Sequence, residues 1–279
     1  MMNWTAVTLI LQSADGITEE EISEIITAEV MHLPIDGIWQ QEGRLTLYFP
    51  PGILLPDHIA LMHSIPFIKE ISLEDIAQQN WNKLWEASYQ PVEIPFLLRI
   101  RAVFHSPNPL YQHELIIQPN MSFGTGHHAT TRMMLETLIE HPPVALKVLD
   151  MGCGTSILAI LAEKLGAQSV HAVDNDPLCI ENSKENLSLN QCRAITVSTL
   201  SSFQPNLPYN LILANIQRQI LIEQLPFYES ITLPGSQLWL SGIELADKDL
   251  LVNTAKACNF KLVKETSLSS WLLLLFEKY

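Results

Sequence analysis

One stretch, residues 148–158, constrains the fold of this chain more than any other. An apolar strand, residues 148–151, leads into Gly152 and Gly154, and apolar residues at helical spacing follow as far as Gly166. Glycines at such a turn leave bare backbone that a small ligand can approach, and amides at the helix start favour polar or anionic groups. We therefore expect an α/β unit with a small-molecule site at the turn.

The spacing of the glycines decides which small molecule the turn suits. The dinucleotide fingerprint G-x-G-x-x-G needs a third glycine where this chain has Ile157. Asp150-x-Gly152-x-Gly154 instead resembles motif I of the class I S-adenosylmethionine (SAM) methyltransferases, which usually carry a further glycine at the position of Ser156. The stretch therefore favours an adenosyl sulfonium donor over a nicotinamide dinucleotide.

A second signal follows 22 residues after Gly152. Another apolar strand, residues 169–173, ends in Asp174. A carboxylate at the carboxyl end of the second strand can accept hydrogen bonds from both hydroxyls of an adenosine ribose. The two signals together favour a cofactor site over an ordinary strand-turn-helix with a surface aspartate. We predict that Asp150, Gly152, Gly154 and Asp174 bind the cofactor.

Residues 1–73 have the pattern of a small α+β domain. Strand-like and helical stretches alternate in the order βαββαβ, and the last strand ends at Leu73, which suggests a ferredoxin-like sandwich. No catalytic constellation is visible there, so we interpret residues 1–73 as a substrate-recognition domain. Residues 74–92 form an amphipathic linker, whose Trp81 and Trp85 are expected to pack against a neighbouring domain.

Residues 93–279 are predicted to form one α/β domain. From the glycine turn onward, strands alternate with helices, and the fifth strand is expected over residues 237–241. The last two strands, residues 260–266 and 270–276, have no helix between them and so predict an antiparallel hairpin at one sheet edge. Such a hairpin distinguishes the seven-stranded, Rossmann-like sheet of class I SAM methyltransferases from ordinary doubly wound folds.

A loop rich in glycine and hydroxyl residues, residues 123–131, precedes another predicted helix. Its glycines beside Phe123 make it flexible enough to fold over a bound cofactor, so Phe123 is expected to contact that cofactor. Thr130 or Thr131 is expected to cap the helix. His128 is either a proton acceptor or a residue that holds the loop by a hydrogen bond, and the second reading is favoured.

Asn215 ends the fourth strand of the predicted sheet, at the edge where open α/β sheets place their chemistry. Arg218, on the next helix, is expected to face solvent. Cys153 is interpreted as a small side chain that fills the turn, because no histidine is placed nearby to deprotonate it. The four cysteines form no C-x-x-C pair and the histidines do not cluster at zinc-ligand intervals, so no metal is expected.

Composition and charge narrow the class of protein. A hydrophobic content of 47% is enough for a substantial core. No apolar run reaches ~18 residues and no targeting segment is recognisable, so we expect a cytoplasmic protein without membrane contact. The net charge of −14 is concentrated in residues 1–75, which hold twelve Asp and Glu against Arg44 and Lys69. That segment would repel nucleic acid and attract a basic protein.

With these residues in view, the chain resembles the ribosomal protein L-eleven methyltransferase family, PrmA, over its whole length. The most specific marker is Phe123-Gly124-Thr125-Gly126-His127-His128-Ala129-Thr130-Thr131, which is similar to the family's F-G-T-G-T-H-P-T-T. Further matches are residues 149–154, residues 173–176 and Ala214-Asn215-Ile216. The resemblance implies that Thr131, Gly152, Asp174 and Asn215 contact SAM or the active site.

The resemblance also implies a function. Members methylate lysine ε-amines and an N-terminal α-amine of one basic protein of the large ribosomal subunit, with SAM as cofactor, and we expect a monomer. Asn215 is then the expected catalytic residue, because its side-chain oxygen can accept an amine N–H and aim the lone pair at the methyl. Two alternatives remain: a SAM enzyme that methylates an RNA base or a small amine, and a noncatalytic SAM-binding ribosome assembly factor.

Overall fold

Two compact units make up the chain, Met1–Tyr89 and Gln90–Tyr279. A computed structural model describes residues 4–12, 18–41, 43–76, 89–118, 123–205 and 208–279. The buried hydrophobic residues form one cluster in the first unit and two in the second, and no cluster combines described residues of both units. Each unit therefore has its own core.

The described residues of the first unit form an antiparallel four-stranded sheet with two helices. Its elements in chain order are β1 (Trp4–Leu11), α1 (Glu19–Val30), β2 (Gly37–Gln41), β3 (Arg44–Phe49), α2 (Pro56–Ser64) and β4 (Ile68–Ile76). The strand order is β2-β3-β1-β4, and each neighbouring pair is antiparallel. This βαββαβ arrangement confirms the ferredoxin-like prediction.

The last strand of the first unit is longer than predicted. β4 continues to Ile76, three residues beyond Leu73 and into the predicted 74–92 linker. The reason lies in its register, because Trp4 of β1 pairs with Ile76 and so supplies a partner along the whole strand. The rest of the linker up to residue 88, with Trp81 and Trp85, lies outside the residues that the structure describes.

The second unit is built on a seven-stranded mixed sheet. Its elements are β5 (Val92–Ile94), β6 (Leu98–Arg101), β7 (His113–Ile116), α3 (Ala129–Glu140), β8 (Lys147–Met151), α4 (Ile157–Lys164), β9 (Ser169–Asp174), α5 (Pro177–Leu189), β10 (Ile195–Thr199), β11 (Tyr209–Asn215), α6 (Arg218–Ser230), β12 (Thr232–Glu244), α7 (Lys248–Ala257), β13 (Phe260–Leu268) and β14 (Trp271–Lys278). The sheet order is β10-β9-β8-β11-β12-β14-β13. β14 runs antiparallel to both neighbours, which confirms the predicted terminal hairpin.

The central strands of this sheet are buried on both faces. Leu211 and Leu213 of β11 belong to the core on one face, and Ile212 belongs to the core on the other. Strands covered on both sides have continuous apolar sequences, as β11 does.

β5, β6 and β7 form a separate three-stranded sheet, which the sequence did not predict as a unit.

The strand order places the binding crevice. β8 lies in the middle of the sheet, with β9 on one side and β11 on the other, so the chain changes direction across the sheet at β8. In open α/β sheets the ligand lies outside the carboxyl ends of the strands at such a switch point.

β12 begins at Thr232 rather than at the predicted Gln237, because Tyr209 of β11 already pairs with Thr232 before the register shifts.

Candidate cofactor and active site

The glycine turn lies at the switch point, between β8 and α4. Gly152 has a φ of +76° and Gly154 a φ of +52°. A Cβ at Gly152 would lie 2.1 Å from Cγ2 of Ile216, and a Cβ at Gly154 would lie 2.3 Å from the carbonyl oxygen of Phe123. Both glycines are therefore required by the left-handed backbone and by the close approach of two other segments. These contacts bring the 123–131 loop and the end of β11 to the turn.

The backbone amides of the turn are already used inside the protein. The amides of Gly152 and Cys153 donate to the Val173 carbonyl (2.8 and 3.0 Å), that of Gly154 to Asp174 Oδ2 (2.9 Å), that of Thr155 to the Phe123 carbonyl (3.0 Å), and that of Ser156 to the Cys153 carbonyl (2.7 Å). A pyrophosphate cradle needs such amides to point at the ligand. The amides of residues 152–156 are therefore not directed at a ligand, and this geometry disfavours the pyrophosphate of a dinucleotide.

Asp174 lies at the carboxyl end of β9 and is 9% exposed. Its Oδ2 accepts the Gly154 amide and its Oδ1 accepts the Asp176 amide at 3.0 Å. A carboxylate has about four lone-pair sites, so each oxygen retains the capacity to accept a further hydrogen bond. The side chain is thus held rigidly beside the turn and suits the hydroxyls of a ribose.

Asp150 lies beneath the turn and is only 1% exposed. Its Oδ2 accepts the amide of Ala159, one of the N–H groups at the start of α4 that has no carbonyl partner within the helix, at 3.1 Å. Burial raises the pKa of Asp150 to about 7, the Ala159 amide opposes that rise, and the charge of Asp174 adds to it. Asp150 therefore fixes the start of α4, and this burial places its carboxylate away from a ligand that approaches the glycines.

Ser156 and Cys153 complete the turn. Ser156 is the N-cap of α4 with a φ of +61°, a conformation that favours glycine, and its hydroxyl donates to Ser183 Oγ at 2.7 Å. Cys153 is buried, and burial raises the pKa of its thiol to about 12. The predicted role of Cys153 as a small side chain that fills the turn fits this environment.

The 123–131 loop lies against the turn through its backbone. Besides the bond from the Thr155 amide to Phe123, the Thr155 hydroxyl donates to the Gly124 carbonyl at 2.6 Å. The ring of Phe123 is 55% exposed and meets His128 edge-on, with 5.4 Å between ring centroids. The ring of His128 in turn meets Trp271 at 4.9 Å.

His128, rather than Thr130 or Thr131, caps α3. Its Nδ1 accepts the Thr130 amide at 3.4 Å and lies 2.8 Å from the Thr130 hydroxyl. The prediction placed the cap two or three residues too late because threonine is a favoured N-cap and histidine is not. Both contacts of Nδ1 are with Thr130, at the start of α3. This geometry supports the holding role over the proton-acceptor role.

Asn215 meets Thr131 at the carboxyl end of β11. Its Nδ2 donates to Thr131 Oγ1 at 3.3 Å, across 84 positions of sequence, and Thr131 is 1% exposed. Its Oδ1 is buried and has no hydrogen-bond partner among the residues that the structure describes. A buried acceptor without a donor costs about 1–3 kcal/mol, so this oxygen marks a position where a ligand N–H or O–H fits.

Comparison with known proteins decides the family. A family model described as ribosomal protein L11 methyltransferase (PrmA) matches residues 6–279. The chain belongs to the PrmA family. A ribosomal protein L11 methyltransferase of Porphyromonas gingivalis is 38% identical over 94% of this chain and 93% of its own length. One of Chlorobaculum parvum is 39% identical over 93% of each chain.

A solved structure supports the same assignment. The crystal structure of ribosomal protein L11 methylase from Lactobacillus delbrueckii subsp. bulgaricus has a TM-score of 0.60 and 27% identity, covering 68% of this chain and 99% of that chain. The PrmA-family chain is thus a SAM-dependent methyltransferase with the class I fold. The turn fits SAM better than a dinucleotide, because the carboxylate of Asp174 can still accept ribose hydroxyls while the amides of residues 152–156 are not free for phosphates.

Several residues of the site in this PrmA-family chain were not predicted. Gly242 has a φ of +85°, and a Cβ there would lie 2.4 Å from the Ile216 carbonyl, so β12 also presses on the end of β11. A lone glycine in a strand is the signal that could have indicated this contact. The sequence around Trp271 contains no pattern that predicts its contact with His128. Arg218 forms an ion pair with Asp247 and is 44% exposed, in line with the expectation that it faces solvent.

The described part of the chain holds no group of three or more His, Cys, Asp or Glu placed to bind a metal ion. Within that same part, no helix is long and apolar enough to cross a membrane.

Proposed function

We propose that this chain methylates amino groups of the large-subunit ribosomal protein L11, the substrate that the names of its relatives state. The observation that carries the proposal is Oδ1 of Asn215, a buried acceptor that no described residue satisfies, at the carboxyl end of β11. An amine that has lost one proton keeps two N–H donors and a lone pair. One N–H donated to this oxygen would direct the lone pair into the crevice.

The cofactor site is proposed to consist of residues at the ends of β8, β9 and β11 and of the loop before α3: Phe123, Thr131, Asp150, Gly152, Gly154, Asp174 and Asn215. Asp174 would accept the ribose hydroxyls, and the two glycines let Ile216 and Phe123 come close to the turn. Asp150 would contribute indirectly, by holding the turn through Ala159. When bound, SAM supplies an electrophilic methyl group on a sulfonium.

The chain's own residues would act by positioning. A lysine with a pKa near 10.4 lies roughly three units above neutral pH, so its deprotonation costs about 4–5 kcal/mol at pH 7. A crevice with little water favours the neutral amine, because desolvation penalises the charged form. Thr131 fixes the Asn215 amide through Nδ2, which leaves Oδ1 in one defined direction. No strong base is required in this mechanism.

The first unit is proposed to recognise the protein substrate. Twelve Asp and Glu against Arg44 and Lys69 give residues 1–75 a strongly negative field that suits a basic ribosomal protein. Trp39, 54% exposed, lies on the sheet face opposite α1 and α2, and the register places Glu70 and Glu74 on that face too. We propose a cytoplasmic monomer that contacts no nucleic acid directly.

Methyl transfer from radiolabelled SAM to purified ribosomal proteins and ribosomal RNA tests the proposal. We expect label on one basic large-subunit protein. Label on RNA or on a small amine, or no label at all, would contradict it.

The matched variant for this experiment is Asn215→Ala. Without the oxygen that orients the amine, we expect kcat to fall by about 100-fold, while the affinity for the demethylated product S-adenosylhomocysteine (SAH) falls by about fivefold at most. Intact turnover with unchanged SAH binding would show that Asn215 does not orient the amine.

A further inference from the structure

Helix α5 and its C-cap residue carry a row of buried polar side chains. Asn182, Ser183, Asn186 and Asn190 stand at positions i, i+1, i+4 and i+8, and their exposures are 4%, 0%, 0% and 8%. Buried polar groups destabilise a fold unless they are hydrogen-bonded. Ser183, Asn186 and Asn190 bond to backbone groups of other segments and so hold those segments. Asn182 instead accepts from Asn186 on the same helix, and its Nδ2 has no partner among the residues that the structure describes.

Ser183 and Asn186 hold the carbonyl groups of the glycine turn. The hydroxyl of Ser183 donates to the Gly154 carbonyl at 2.8 Å, and it accepts from the Ser156 hydroxyl. Nδ2 of Asn186 donates to the Thr155 carbonyl at 3.0 Å. Two successive peptide planes of the turn are therefore fixed from beneath by side chains of one helix.

Asn186 supplies the hydrogen-bond donor that the Thr155 carbonyl lacks within the helix. In a continuous helix this carbonyl would accept from the amide four residues later, that of Ala159. The amide of Ala159 donates instead to Asp150. Asn186 replaces the lost helical donor, so the left-handed Ser156 and the start of α4 depend on two buried side chains, Asp150 and Asn186.

Asn186 also bonds to Gln118, which lies two residues after the end of β7. Its Oδ1 accepts the amide of Gln118 at 2.8 Å. Asn190, one turn later at the C-cap of α5, bonds to β7 and to α5 itself. Its Oδ1 accepts the Ile116 amide at 2.9 Å, and its Nδ2 donates to the Ile116 carbonyl at 2.6 Å and to the Asn186 carbonyl at 2.8 Å. The two asparagines thus have the same chemistry, but only Asn186 touches the glycine turn.

We infer that Ser183 and Asn186 are positioning residues for the SAM site, which set the shape of the glycine turn before the cofactor binds. The inference rests on the proposed cofactor site. A turn that is already shaped loses less conformational entropy on binding, so the two residues raise cofactor affinity without touching the cofactor. Asn190, which holds β7, has no such effect.

Calorimetric titration of the full chain with SAH tests the inference. Asn186→Asp keeps the acceptor for Gln118 and replaces the donor to the Thr155 carbonyl and to Asn182 Oδ1 with a carboxylate oxygen. It therefore breaks the turn contact while it keeps the contact with Gln118. We expect its Kd for SAH to rise by about 10- to 100-fold, and that of Ser183→Ala by about 3- to 10-fold. The matched control, Asn190→Asp, is expected to change the Kd by less than about twofold.

The binding results distinguish the positioning role of Ser183 and Asn186 from the proposed cofactor site itself. A purely structural role would lower the melting temperature and the fraction of binding-competent protein in all three variants but leave the Kd of the competent fraction unchanged. If the wild-type chain binds SAH and both turn variants bind it as Asn190→Asp does, the inference is wrong and the cofactor site stands. If the wild-type chain does not bind SAH, the proposed site itself is wrong. Should Asn186→Asp fail to fold, Ser183→Ala decides.

Discussion

At Ser156, a buried hydrogen bond opposes the cost of a left-handed backbone conformation. Ser156 keeps a left-handed φ of +61°, which costs a residue with a Cβ about 1 kcal/mol, and its buried hydroxyl is bonded to Ser183. Ser156→Gly loses the bond but relieves the strain, so we expect its free energy of unfolding to stay within about 1 kcal/mol of wild type. Ser156→Ala loses the bond and keeps the strain, and urea denaturation should show it as the less stable variant. Equal stability of the two variants would contradict this balance.

Asp150 gives the turn a pH dependence. Its pKa is raised to about 7 in the folded chain, so the folded state binds this proton more tightly than the unfolded state. Ionisation of Asp150 therefore removes stability as the pH rises from about 4 to 7. Asp150→Asn cannot ionise and keeps an oxygen for the Ala159 amide. Relative to wild type, we expect this variant to gain about 3–4 kcal/mol of unfolding free energy between pH 4 and pH 8.

Urea unfolding of the cofactor-free protein at both pH values measures that difference. The comparison of variant and wild type cancels the titration of the carboxylates that do not interact with Asp150. A difference that is the same at pH 4 and pH 8 would mean that Asp150 titrates as an ordinary surface carboxylate does.

At the scale of elements, the site depends on how closely β11 approaches the turn after β8. Gly152→Ala would place a Cβ 2.1 Å from Ile216 Cγ2, whereas Gly166→Ala meets Val144 at an ordinary 3.7 Å. Both glycines have a positive φ, so the strain is similar and the overlap alone differs. We expect the free energy of unfolding of Gly152→Ala to be about 1–3 kcal/mol lower than that of Gly166→Ala.

Adding Ile216→Ala to each glycine variant isolates the overlap. Because this change removes the clashing methyl group, it should cost less stability in the Gly152→Ala background than in the Gly166→Ala background. The same cost in both backgrounds would show that Ile216 does not limit the approach of the two elements.

The sequence predicted those parts of the site in which the functional residue directly follows an apolar strand. The glycines after β8, the aspartate after β9 and the asparagine at the end of β11 each follow an apolar strand, so strand ends alone locate Gly152, Asp174 and Asn215. The occupied amides of the turn, the role of Asn186 and the position of Trp271 depend on contacts between residues distant in sequence. The histidine cap of α3 was missed because residue preference favours the neighbouring threonines.

At the scale of the whole molecule, each unit has its own core. The two clusters of the second unit consist of residues from Val92 onward, and every proposed site residue lies at or after Phe123. We therefore expect residues 90–279 alone to fold and to bind SAH with a Kd within about threefold of that of the full chain. Circular dichroism and calorimetry measure this, and a fragment that is unfolded or does not bind SAH would contradict it.

The turn from Asp150 to Gly154, together with Asp174, is proposed to hold SAM. Calorimetric titration with SAH and with a nicotinamide dinucleotide, on the wild-type chain and on Asp174→Ala, tests it most directly. We predict saturable binding of SAH to the wild type, a Kd about 10- to 100-fold higher for Asp174→Ala, and no binding of the dinucleotide. No uptake of SAH by the wild type, with tight binding of the dinucleotide, would contradict the claim.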